Sequence, residues 1–91
     1  ELFLRLEERT KGILVIFGSY SSFNANVKSD LDVFVMGKIE ETDDLEEMYN
    51  IKINVIKSAK NKFDKNESVI KEIIKNHIIL RGVEEFIELI W

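Results

Sequence analysis

The chain has no cysteine and no proline, one histidine, one tryptophan and four glycines among its 91 residues. Without cysteine it has neither a disulfide framework nor a thiolate metal site. The single histidine, His77, has no neighbour at metal-ligand or triad spacing and reads as structural. The lack of cysteine fits a reducing interior, so the cytoplasm is the expected location. No apolar stretch reaches the roughly 18 residues that a membrane-spanning helix needs, and no signal-peptide pattern opens the sequence. Basic residues are in the minority: 13 Lys and Arg face 17 Asp and Glu, a net charge of −4. That balance argues against bulk attraction to nucleic acid, which requires a basic stripe, and favours a small-molecule or protein partner. The first residue is Glu1 rather than Met, so the natural chain is expected to extend further upstream.

What is present suits one globular domain spanning residues 1–91. Apolar residues make up 45 % and charged residues 33 %, enough of each to build a single core and a solvated surface. Three short apolar runs, 13–17, 31–36 and 51–56, are rich in Ile, Val, Leu and Phe and read as buried strands. Around them lie segments with apolar residues three and four apart, the spacing of one helix face. These predict helices over 2–9, 43–49, 67–76 and 83–90, with Lys11-Gly12 ending the first. Residues 78–80 read as a short edge strand. The expectation is an α/β (α+β) fold: a small mixed sheet of three to four strands with helices mainly on one face. The apolar stripes of the last two helices read as core or subunit contacts, so a homo-oligomer is open. Trp91 and Leu89 end the sequence beside an apolar face, where a tryptophan packs on the domain or marks a partner contact.

The chemistry gathers between residues 13 and 36. The first apolar run breaks at Gly18-Ser19, and ten residues later Asp30-Leu31-Asp32 opens the second. In a strand, residues two apart project from one face about 6.6 Å apart along the chain. Asp30 and Asp32 therefore point together, with Leu31 turned away. Two adjacent carboxylates repel, and a cation in front of them removes that cost. Oxygen-only ligands suit Mg²⁺, which takes one or two carboxylates, several waters and the phosphates of a substrate. Gly18 permits a close backbone approach, and residues 19–23 read as one or two helical turns whose free N–H groups face an anion. Together these features suit a nucleoside triphosphate. Lys28, in the polar loop 24–29, reads as a solvated lysine. The acidic cluster from Glu40 to Glu47 reads as the solvated start of a helix capped by Thr42 rather than as a metal site.

Gly18-Ser19, ten residues, then Asp30-x-Asp32 resembles the signature of the DNA polymerase beta-like nucleotidyltransferases, and most of all their smallest branch, the minimal nucleotidyltransferases. The resemblance covers almost the whole chain, in the order of strand, turn, aspartate-bearing strand, acidic helix, third strand and C-terminal helices. It implies a nucleotidyltransferase-like fold, with Asp30 and Asp32 as catalytic metal ligands and Gly18 and Ser19 as nucleotide-binding residues. It also implies Mg²⁺ as cofactor and ATP as substrate. Family members usually carry a third carboxylate on a later strand as the base; the matching position here is Asn54. Many also follow the Gly-Ser with Arg and Gly, where this chain has Ser22 and Phe23. Proteins of this kind resemble antitoxins that attach AMP to a HEPN-type partner protein, and the resemblance implies that role here. Asparagine cannot take up a proton at neutral pH. The alternative is therefore a weak or inactive binding module of the same fold that neutralises a partner by contact.

Overall fold

The computed structural model describes residues 1–20 and 30–91. Ser22, Phe23 and Lys28 lie outside the described residues. Four helices, α1 (Leu2–Glu8), α2 (Asp43–Tyr49), α3 (Ser68–Lys75) and α4 (Val83–Ile90), accompany four strands. The strands are β1 (Thr10–Phe17), β2 (Leu31–Ile39), β3 (Ile53–Lys57) and β4 (His77–Arg81), with 3-10 turns at Gly18–Tyr20 and Lys60–Lys62. Strand order across the sheet is β3-β2-β1-β4. β1 pairs antiparallel with both β2 and β4, whereas β2 and β3 run parallel, giving the mixed α+β sheet expected.

β1 and β2 are apolar on both faces, so both faces require cover. Leu14, Ile16, Leu31 and Val33 bury one face against Leu6 of α1 and Leu45 of α2. Val15, Phe17, Phe34 and Met36 bury the other against Ile70 and Ile73 of α3 and Phe86 of α4. The helices are thus shared between both sides of the sheet, where the sequence led to the expectation of helices mainly on one.

Three strand ends differ from the sequence reading by two residues or more, each for a physical reason. Lys11-Gly12 continues β1 instead of stopping α1. The helix ends earlier, where the Arg9 amide donates to the Leu6 carbonyl (3.2 Å). The buried Thr10 hydroxyl donates to the same oxygen at 2.7 Å. Likewise β2 runs beyond residue 36, through Gly37 to Ile39. Gly12 and Gly37 face each other across the strands, and a side chain on either would collide with the Met36 or Lys11 carbonyl. Glycine therefore permits a close backbone crossing that prolongs both strands. β3 starts at Ile53, not residue 51. Asn50 turns left-handed (φ 51°), and the Ile51 amide still bonds back to the Glu46 carbonyl at 3.1 Å.

Candidate functional site

The site is set by strand register. In the antiparallel pair β1–β2, Phe17 lies opposite Asp32; in the parallel pair β2–β3, Asp32 lies opposite Asn54. Paired residues share a face, so Asp32 and Asn54 project on the side where Phe34 and Phe86 are buried. The last residue of β1 delivers Gly18 to the same corner. Gly18 is left-handed (φ +75°), and a Cβ there would strike the Asp32 carboxylate oxygen Oδ2. Gly18 and Asp32 are thus immediate neighbours, although they lie fourteen positions apart in the sequence.

Asn54 joins the two acids. Its Nδ2 donates to Asp30 Oδ2 at 3.2 Å and to Asp32 Oδ1 at 3.1 Å. Asp30 is exposed, while Asp32 and Asn54 are half-buried. Ionised carboxylates only accept hydrogen bonds, so the amide nitrogen, not its oxygen, must face them. Among the described residues the ion pairs are Arg5–Glu1 and Arg9–Asp44, and neither reaches these aspartates.

Support for this corner comes from an acid that the sequence reading treated as solvated surface. Glu46 of α2 accepts a hydrogen bond through Oε2 from the Ile53 amide (2.8 Å), anchoring the first residue of β3 next to Asn54. The signal was present as an acid in the helix before a strand, but many acids share that helix. Asp44 has a separate role. It takes a bidentate pair from Arg9 at 2.5 and 2.7 Å, and Arg9 also donates to the Glu41 carbonyl at 2.8 Å. Arg9 holds the Asp44 carboxyl down to about 2, chiefly through that hydrogen-bonded pair. His77 lies opposite Phe17, on the other side of β1 from Asp32. Its Nδ1 donates to the Ile73 carbonyl at 2.9 Å, and its ring meets Phe86 edge-on at 5.2 Å, contacts that suit a structural residue.

The donor set fits a hard divalent cation in the presence of a phosphate. No group of three His, Cys, Asp or Glu occurs at one place among the described residues. Two carboxylates and an amide do converge, and Mg²⁺ is commonly held by one or two carboxylates together with substrate phosphates. A cavity of about 490 Å³ begins at Phe34 and Ile56, the next pair on the same face after Asp32 and Asn54, and includes Lys57 and Lys62. A larger one, about 750 Å³, lies towards the opposite end of β1, beside Gly12 and Arg81.

The sequence matches the nucleotidyltransferase domain family over residues 1–89. The chain belongs to that family. Among solved structures, this nucleotidyltransferase domain is similar to a chain from a crystal structure of a toxin-antitoxin with AMP-PNP. The TM-score is 0.65 at 16 % identity, covering 96 % of this chain and 73 % of the other, a likeness of fold. No curated protein matches the sequence. No helix among the described residues is long and apolar enough to cross a membrane.

Proposed function

We propose that this nucleotidyltransferase domain transfers AMP from ATP to an acceptor hydroxyl on a HEPN-type partner protein, and acts as an antitoxin by doing so. The observation that carries the reading is the meeting of Asp30, Asp32 and Asn54 beside Gly18, in a chain of this family. Asp30 and Asp32 would hold Mg²⁺. Bound there, the ion would screen the phosphates and offset the charge that develops during in-line displacement. Gly18 and Ser19 would cradle the triphosphate. The hydroxyl oxygen bonds to the α-phosphorus, the bond to the bridging oxygen breaks, and pyrophosphate leaves. Asn54 cannot take the hydroxyl proton, which passes to solvent or to a group on the acceptor. The cavity beside Phe34 and Ile56, with its two lysines, would receive the part of a substrate extending from the phosphates. The similarity in fold to a toxin-antitoxin chain supports a protein acceptor.

Radiolabelled ATP provides the test. The partner should become labelled in the presence of Mg²⁺, and Asp30→Ala or Asp32→Ala should abolish the label. Undiminished labelling by both variants would remove the assignment.

A second reading is favoured by one observation, the amide at position 54. A domain lacking the base could neutralise its partner by contact alone. Under that reading, neither the native chain nor Asn54→Asp transfers AMP, and Mg-ATP leaves the melting temperature unchanged. A large gain of transfer in Asn54→Asp would instead mark an enzyme whose ligands work and whose base is weak.

A further inference from the structure

We infer that Asn54 is a two-state positioning residue, whose amide nitrogen holds Asp30 and Asp32 together when no cation is bound and whose amide oxygen turns to the cation once one is. The inference rests on the nucleotide-site reading above and adds to it the way in which the site is kept ready. Two like charges two residues apart at one strand end push apart unless something positive lies between them. Here that positive group is the Asn54 NH₂, reaching Asp30 at 3.2 Å and Asp32 at 3.1 Å. An NH₂ has two hydrogens, one for each carboxylate, so a single amide satisfies the pair. A third carboxylate at this position would add a third negative charge and donate nothing.

The surroundings fix where the amide sits. The Ile53 amide just before it is tied to Glu46, and the Asp32–Asn54 pairing sets the cross-strand distance. Gly18, just past β1, leaves open the space that the Asp32 carboxylate occupies, since any Cβ there would collide with its Oδ2. Asp32 and Asn54 are thus held side by side by strand pairing and by the hydrogen bond between their side chains. Rotation about the terminal side-chain torsion remains. That torsion is broad and roughly two-fold, so a half-turn exchanges Nδ2 for Oδ1 without moving the backbone. With a dication on the aspartates, the NH₂ hydrogens would face a positive charge. The half-turn replaces that repulsion with a carbonyl oxygen, a ligand type that hard cations accept. Loading and unloading of the site are thus each matched by one orientation of the same side chain.

The Asn54 side-chain NH₂ pair reads this directly in nitrogen–proton NMR correlation spectra, with its assignment made by its loss in Asn54→Asp. In EDTA the pair should be displaced from the positions of exposed asparagines and exchange slowly. Saturation with MgCl₂, alone and then with ATP, should move it towards those positions. Melting temperatures supply the second readout. In EDTA, Asn54→Asp and Asn54→Leu should both melt about 4–8 °C below the native chain. MgCl₂ should recover the loss in Asn54→Asp, with Mg²⁺ bound on the order of 10-fold more tightly than by the native chain, but not in Asn54→Leu. An NH₂ pair resembling free asparagine in EDTA overturns the inference. So does a pair that stays fixed while the backbone amides of Asp30 and Asp32 report Mg²⁺ binding, and that result leaves the nucleotide site standing. If no resonance responds to MgCl₂ or to MgCl₂ with ATP, both the inference and the site fall. An Asn54→Asp chain as stable in EDTA as the native one overturns the inference alone.

Discussion

Gly18 shows how much of the site rests on one residue's missing side chain. It combines a left-handed backbone, φ +75°, with a place beside Asp32 that a Cβ would have to share with the carboxylate. Alanine there is strained on both counts. Gly18→Ala should destabilise the fold by about 1–2 kcal/mol from the backbone conformation alone, measured by urea unfolding. It should also weaken Mg-ATP binding by displacing the Asp32 carboxylate, seen as a smaller rise in melting temperature with ligand. The glycine was legible in the sequence as a corner beside an anion. Its contact with Asp32 was not, because the contact depends on strand register across residues whose order in the chain is silent about pairing. Asn54 was legible in the same partial way. Alternation in its strand put it on a partly polar face, but its bonds to both aspartates required β3 to lie parallel to β2 in one particular register.

At the level of elements, the short parallel strand β3 depends on the helix before it. β3 is an edge strand, and its first residue, Ile53, is buried at 8 % exposure with its amide bonded to Glu46. Removing that acceptor leaves a buried donor unpaired. Glu46→Ala should cost about 1–3 kcal/mol and speed hydrogen exchange at the Ile53 amide, while Glu46→Gln, which keeps an oxygen acceptor, should cost less. Equal exchange rates in all three chains would show that β3 is held by its pairing with β2 alone. The extents of α2 and α4, residues 43–49 and 83–90, follow the sequence reading because each has a local stop or start: Asn50 in the left-handed region, and Gly82 before Val83. The strands of β1 and β2 outran theirs. Their ends depend on the paired glycines Gly12 and Gly37, which act across the sheet and not along the chain.

The whole molecule is closed on one face by a charge pair as well as by apolar packing. Arg9, between α1 and β1, grips Asp44 at the start of α2. Asp44 titrates at about 2 in the fold, against an ordinary 3.8. A carboxylate with a lowered folded value stabilises the fold at pH above the unfolded value, and that contribution is lost as pH falls through the folded one. The native chain should therefore lose stability between about pH 4 and pH 2 in excess of Asp44→Asn, as followed by melting temperature at each pH. The pair is largely solvent-exposed at Asp44, so the difference should be modest and shrink in high salt. Curves that run parallel through that window would show that the pair adds nothing to folding.

The sequence by itself determined the repertoire: an α+β domain with buried strands, two acids two residues apart at a strand end, a glycine corner, and an asparagine on a partly polar strand face. Period and composition are local properties, and they survive in any arrangement of the chain. Only the tertiary structure decided which of these meet. Register placed Asn54 across from Asp32 and Gly18 against it, and two-sided burial of β1 and β2 divided the helices between the faces. Those outcomes depend on contacts between residues remote in sequence, whose energies are settled only when the sheet assembles.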